Sequence, residues 1–260
     1  ARIANNPAFN VPKVAPMGKL ARDKDKKKAM DDVFHAASTI GGYLKDLGFN
    51  VDFAPVADVI TTEKASQIIG DRAFGRNPQL VRELARMYAN GLHSSGIISC
   101  YKHFPGHGSV TGDSHKDRVS TSRKLEELWK TEFVPFADAQ AAGIDFIMMG
   151  HIWLPNVTKE EAPASLSKEM IQILRTKLGY QGIIITDAFN MGAIAKHFPS
   201  GEAAVKALEA GCDMVLMPQK FQPAYEAVLQ AVKSRRLSEE RINVSLRRIF
   251  EAKRKLRAGN

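Results

Sequence analysis

Cysteine is scarce in this 260-residue chain, with only Cys100 and Cys212, each inside an apolar run. Two such residues cannot build a disulfide framework, and their settings read as buried reduced thiols rather than as a bridge or a ligand pair. Long apolar runs are missing as well. No stretch approaches the roughly 18 residues that cross a bilayer, so no membrane-spanning segment is expected. No export signal opens the chain, which begins at Ala1 rather than Met. The compartment therefore stays open between the cytoplasm and export to the cell envelope, with export the favoured side. The close-spaced ligand pairs His-x-His and Glu-x-x-His are also absent, which argues against a metal site. Neither a metal nor a cofactor is expected.

What the chain does have is an ordinary globular balance, 44% hydrophobic and 25% charged, with a net charge of +9. The excess is uneven: residues 233–260 carry ten Lys and Arg against three Glu. No aromatic interleaving or nucleic-acid motif accompanies them, so no nucleic-acid partner is expected. The tail reads as the solvated face of a terminal helix, with an anionic cell-wall polymer as a possible partner.

Helical and apolar segments alternate. Residues 30–47 space Val33, Ala37, Ile40 and Leu44 as a helix, stopped by Gly48 before the run Phe49–Val56. Asn77-Pro78 caps a second helix that Gly96 ends before Ile97–Tyr101. A third helix is expected over 123–142, interrupted near Pro135, ahead of Ile144–Met149. Ser167 caps a fourth, which Gly179 stops before Ile183–Thr186. A short helix over 202–210 precedes Cys212–Met217, and two helices come after it, over 223–233 and from Ser238. Residues 1–29 read as a loop. The five apolar runs do not alternate with polar residues, so each is buried on both faces, as in a parallel sheet wrapped by helices. The fold class is α/β, a TIM-type (β/α)8 barrel with about five units in view, forming one incomplete catalytic domain over residues 1–260.

Such barrels place their chemistry at the C-terminal ends of the strands. Four of the five runs end in an ionisable group there: Asp58, the pair Lys102 and His103, His151, and Asp187. From Lys102 the sequence runs K-H-F-P-G-H-G-S-V-T-G-D-S-H, so Asp113 and His115 stand two residues apart on a glycine-loosened loop. A carboxylate so placed orients an imidazole and fixes its tautomer. Asp187, at the end of a buried strand, suits a nucleophile or base. Arg72, in I-I-G-D-R-A-F-G, and Lys102 are donors suited to sugar hydroxyls or anions.

Together K-H-F-P-G-H-G (102–108), D-S-H (113–115), I-G-D-R-A-F-G (69–75), F-A-P-V-A-D-V (53–59) and T-D-A-F-N-M-G-A-I (186–194) resemble the family 3 glycoside hydrolases, in their β-N-acetylglucosaminidase branch. The resemblance runs from about Gly48 to Met217. The β-glucosidases of the family share the K-H strand end but lack the Asp-x-His pair. The resemblance implies a retaining double displacement that removes terminal β-linked N-acetylglucosamine from peptidoglycan- or chitin-derived saccharides. Asp187 then matches the nucleophile, His115 the general acid/base, and Asp113 its orienting partner. Arg72, Lys102 and His103, with His151 and Asp58, match substrate-holding positions. The family's acidic D-Q/E-E-G-G strand end is absent, and A-R-I-A resembles the family's sequence just after that strand end, so about three strands are expected before this chain's first residue. Lys102 and His103 are expected to form a fixed half of the site. Asp113 and His115 form a mobile half, with His115 held further from Asp187 than the roughly 5–5.5 Å of retaining chemistry.

Other functions compete. A β-glucosidase-type or phosphorolytic member of the same family is one. A non-catalytic carbohydrate-binding protein is another. A metal-dependent barrel hydrolase would use Lys102, His103, His107, His151 and Asp187 as ligands.

Overall fold

A computed structural model of the chain describes residues 13–110 and 112–258. The described chain enters through α1 (Val14–Asp23) and α2 (Lys26–Asp46), which pack together and bury Met17, Ala21, Val33 and Ala37. Asp25 caps α2, its carboxylate accepting the Lys28 N–H at 2.9 Å. This corrects the expected loop over residues 1–29: residues 1–12 lie outside the described part, and most of 13–29 is helical. The lysine-rich string between Lys19 and Lys28 dilutes the apolar spacing of Val14, Met17 and Ala21 that would have marked α1.

Next come β1 (Val51–Asp52) and α3 (Glu63–Ile69), whose first turn is capped by the Thr62 hydroxyl. Helix α4 (Pro78–Ser94) starts as expected, with the Asn77 side chain accepting the Leu80 N–H at 3.0 Å and proline at the first helical position. Strands β2 (Ile98–Phe104) and β3 (Val119–Ser120) lead to α5 (Leu125–Lys130). The helix expected over 123–142 with an interruption near Pro135 is cut shorter than that, ending at Lys130. After α5 the chain makes a 3-10 turn at Val134–Phe136 and then irregular turns, because Pro135 supplies no N–H to an α-helical ladder. The remaining order is β4 (Phe146–Met149), β5 (Ile152–Trp153), α6 (Lys168–Gln172), β6 (Ile183–Ala188), α7 (Gly192–Ala195), α8 (Ser200–Ala210), β7 (Met214–Leu216), α9 (Phe221–Lys233) and α10 (Glu239–Ala258).

The five expected strands form one parallel sheet in the order β1-β2-β4-β6-β7, curled as half of a barrel. The first and last are shorter than their apolar runs. A separate parallel pair, β3 with β5, lies outside it. One sheet face, with Tyr101, Ile147, Met149 and Ile184, packs into a core shared with α2, α4 and α6. The other, with Ile98, Cys100, Phe146, Met148, Ile183 and Ile185, meets Ala252 and Ile249 of α10. Both faces are therefore buried, as the unbroken apolarity of the runs requires.

Helix α10 also ties down the N-terminal ends of the strands. Asp213, just before β7, has a carboxylate fully removed from water. It accepts from Arg175 at 2.5 Å, Arg248 at 2.9 Å, Ser245 Oγ at 2.7 Å and the Ile184 N–H at 2.9 Å. Lys255 reaches Asp145, before β4, at 2.8 Å. Part of the basic excess of the tail is thus neutralised within the fold. Removing the acid from such a cluster strands buried guanidinium groups, at a cost of about 3–5 kcal/mol. Asp213→Ala is expected to lower the thermal midpoint by roughly 10 °C, at about 2–4 °C per kcal/mol for a domain of this size. A shift under about 3 °C in a calorimetric scan would show that the cluster carries no net stability.

Candidate active site

Beyond the formal strands, backbone bonds extend the sheet and fix the C-terminal ends. The Ala57 N–H donates to Lys102 O at 2.7 Å, Gly150 N–H to Phe104 O at 2.8 Å and Phe189 N–H to Leu216 O at 2.9 Å. These bonds set Asp58, His103, His151 and Asp187 side by side.

Asp58 is fully buried and accepts three donors. His103 N–H and His107 N–H reach Oδ1 at 3.1 and 2.6 Å, and His103 Nδ1 donates to Oδ2 at 2.8 Å. Burial alone would raise its carboxyl, but His103 and the His107 backbone outweigh that and hold it below the usual carboxylate range. The segment 106–109 can lie this close only because residue 108 lacks a side chain: a Cβ on Gly108 would sit 1.7 Å from Val59 O.

Bound through Nδ1, His103 turns Nε2 toward Asp187, 3.9 Å from Oδ2. Asp187, whose side chain is 16% exposed, is on the same sheet face as Ile183 and Ile185, and its Oδ1 accepts the N–H of Ala188 at 2.8 Å. Burial raises this carboxyl too. His103, His151, the Ala188 N–H and Lys102 together outweigh burial and hold it low, so Asp187 is ionised at neutral pH.

His151 is fully buried. Nε2 donates to Ala188 O at 3.0 Å, which leaves Nδ1 to accept from Ser165 Oγ at 2.8 Å. Both nitrogens are engaged, so His151 is not a sugar donor in this structure; it grips the peptide whose N–H holds Asp187. The expected substrate-holding role of Asp58 is revised for the same reason, since its oxygens are occupied and shielded from solvent. Lys102 is half-buried and close enough to Asp187 to lower its pKa. Arg72 lies apart on an exposed turn, its guanidinium donating to the carbonyls of Ile68 and Ile69.

The Asp113–His115 pair forms as expected. Asp113 Oδ1 accepts the His115 backbone N–H and Nδ1–H, both at 3.0 Å, so Nε2 is left to carry or receive a proton. Burial pushes the Asp113 carboxyl up and the two His115 bonds, outweighing it, pull it down. The His115 ring is 67% exposed, and among the described residues no hydrogen bond or ion pair links it to Asp187. The loop around it is less free than its glycines suggest. Gly192 N–H donates to His115 O at 3.0 Å and Ala193 N–H to Ser114 O at 3.1 Å. Asp117 pairs with His197 at 2.7 Å and Lys196 at 3.3 Å, and Arg118 lies 4.5 Å over the Trp153 ring. A Cβ on Gly192 would lie 2.3 Å from Lys116 O, so only glycine admits this docking.

Sequence reasoning missed these anchors. Ser114, Ser165, Gly192 and Asp117 act through partners 7 to 80 positions away along the chain, and no local spacing announces them. Among the described residues no group of three potential ligands is arranged to hold a metal ion.

A curled parallel β/α sheet with an ionised carboxylate and an imidazole–carboxylate pair at its C-terminal ends defines a barrel-type domain with polar groups at the end where barrel enzymes place their chemistry. The chain belongs to glycosyl hydrolase family 3: the profile of the family's N-terminal domain, a TIM-barrel-like fold, matches residues 11–252. It is 37% identical over 208 residues to a beta-hexosaminidase of Xylella fastidiosa, covering 79% of this chain and 61% of that one. It is 35% identical over 244 residues to beta-hexosaminidase LpqI of Mycobacterium tuberculosis, covering 91% and 62%. A solved family 3 beta-N-acetylglucosaminidase from Paenibacillus sp. superposes with a TM-score of 0.89 at 36% identity, over 96% of this chain and 47% of that one. The chain thus spans about three fifths of the length of these curated relatives.

The site sets a pH dependence of stability. Burial lowers the pKa of His93, His107 and His151 below the ordinary histidine value. The folded state therefore binds fewer protons than the unfolded one below about pH 6.5, and stability falls on acidification from there. Asp58 and Asp187, with lowered folded pKa values, add stability that is present above about pH 4 and lost as pH falls through those values. The thermal midpoint is expected to drop between pH 7 and pH 5, and His151→Gln to remove part of that drop. A midpoint that is flat or rises over this range would contradict the neutral state of the buried histidines.

Proposed function

We propose that the protein hydrolyses terminal β-linked N-acetylglucosamine from peptidoglycan- or chitin-derived saccharides by a retaining double displacement. The observation that carries this is the docking of the Asp113–His115 pair onto the turn directly after Asp187, which couples an imidazole acid/base to an ionised, rigidly held carboxylate. The beta-hexosaminidase and beta-N-acetylglucosaminidase names of its relatives support the sugar.

In the first step an Asp187 oxygen attacks the anomeric carbon, the bond to the leaving oxygen breaks, and His115 Nε2–H gives that oxygen its proton. In the second, neutral Nε2 takes a proton from water, the water oxygen bonds to the anomeric carbon, and Asp187 departs as a carboxylate. Lys102 and His103 hold the sugar, and Arg72 would join them only by releasing the Ile68 and Ile69 carbonyls that it now meets. The half-barrel belongs to a (β/α)8 barrel whose other strands complete the pocket. An anionic polymer as a second partner of the basic C-terminal region is less well supported, because Arg241, Arg248 and Lys255 face acids within the fold.

Turnover of a chromogenic N-acetylglucosaminide against the matching glucoside tests the substrate, with the N-acetylated sugar expected to be cleaved much faster. Asp187→Ala is expected to lose on the order of 10⁴-fold in kcat. Equal rates for wild type and Asp187→Ala would remove the nucleophile assignment. A preference for the glucoside would move the protein to the β-glucosidase side of the family.

A further inference from the structure

The His107–Ser114 bond is the one side-chain hydrogen bond, among the described residues, that joins the fixed part of the site to the proposed acid/base loop. We infer that His107 is a positioning residue for proton transfer, holding the Asp113–His115 pair in register with Asp187 through the Ser114 hydroxyl. The inference rests on the glycosidase function proposed above.

Ser114 is 2% exposed although it lies between half-exposed Asp113 and outward-facing His115. A hydroxyl so buried needs a partner, and Ser114 Oγ meets His107 Nε2 at 3.1 Å. His107 is 4% exposed and is itself fixed. Its N–H donates to Asp58 Oδ1 at 2.6 Å, and its ring packs edge-on against His103 with centroids 5.7 Å apart. The chain of contacts therefore runs from the buried Asp58 through His107 to the residue between the two members of the proton-transfer pair.

The loop has other anchors of a different kind. The bonds from Gly192 and Ala193 are made to the carbonyls of His115 and Ser114, so they do not depend on the side chains of His107 or Ser114. They hold the loop against α7, and the Asp117 and Arg118 contacts hold the segment after His115, but neither set reaches the Ser114 side chain. The His107 bond holds Ser114 from the segment after β2, so its loss lets residues 113–115 tilt. Asp113 and His115 flank Ser114 and are bonded to each other, so a tilt carries them together. The pair stays intact and its aim is lost. That defect impairs protonation of the leaving oxygen and spares the Asp187 attack.

The two defects separate by leaving group, because an acidic phenol departs without protonation and an alcohol does not. The test measures kcat/KM of the full-length protein on 2,4-dinitrophenyl N-acetylglucosaminide and on the β-1,4-linked N-acetylglucosamine disaccharide, for wild type, His107→Leu, His107→Gln and Ser114→Ala. His107→Leu and Ser114→Ala are expected to lose on the order of 10- to 100-fold on the disaccharide, the range of a misplaced catalytic group, and less than about threefold on the dinitrophenyl sugar. His107→Gln, whose amide reaches the same hydroxyl, is expected to recover most of the loss. Equal losses on both substrates, or none on either, would overturn the positioning role. If His107→Leu does not fold, Ser114→Ala decides alone, since it keeps every backbone anchor and the imidazole. Wild-type protein that cleaves neither substrate would instead overturn the proposed function, and this inference with it. A wild type that works beside variants without the leaving-group split overturns this inference only.

Discussion

A single carboxylate without access to water, Asp58, holds the site together. Its two oxygens take up two backbone N–H groups and one imidazole N–H, all from the segment Lys102–His107. A buried charge is tolerable only when it is bonded in this way, and the requirement works in both directions. Asp58 needs those donors, and they can meet it only if the chain after β2 folds back over the end of β1. The fold-back delivers His103 to Asp187 on one side and His107 to the Asp113–His115 loop on the other. The Lys102–His103 and Phe104–Pro105 peptide bonds within it are both cis.

The two ends of the sheet carry different tasks. At the N-terminal ends, Asp213 and Asp145 draw Arg175, Arg248 and Lys255 into the fold and seat α10 against a sheet face. At the C-terminal ends, charges are arranged around Asp187, and the histidines beside it are buried but none is matched by a full ion-pair network. This division lets the lower cluster hold the strands in register while the upper one keeps polar groups at the end of the sheet where barrel enzymes place their chemistry.

The strand ends were legible in the sequence because a parallel strand buried on both faces leaves an unbroken apolar run, and the first ionisable residue after it stands at the sheet edge. Asp58, His103, His151 and Asp187 were found by that rule, and Asp113 with His115 by their spacing. Their separate tasks were not legible. Whether a strand-end histidine faces a sugar or grips a peptide depends on what lies opposite each nitrogen. For His151 those partners are Ser165 and Ala188, 14 and 37 residues away. Helix α1 was hidden by lysines that blur its apolar spacing, and the break after α5 exceeded the local kink that Pro135 alone suggests. Strands β3 and β5, two residues each, are too short to leave any periodic trace.

The glycines between Lys102 and Asp113 suggest a hinge, but the structure uses the one at 108 for close approach rather than for motion. Gly108 lets the backbone touch Val59, and Gly192, across the site, lets the loop settle on the turn after β6. The loop is then pinned by backbone bonds at Ser114 and His115, by the Asp117 ion pairs and by Arg118 on Trp153. What remains free is the imidazole of His115 itself. Its Nδ1 is tied to Asp113, so its motion is a swing of the pair rather than a flip of the ring. A group that gives a proton in one step and takes one in the next must keep one nitrogen trained on the same oxygen position through both. In the function proposed above, a loop docked five residues beyond Asp187 meets that need with a short, stiff connection. The Asp113–His115 pair is then placed relative to Asp187 by the turn from Asp187 to Gly192 together with the His107–Ser114 bond.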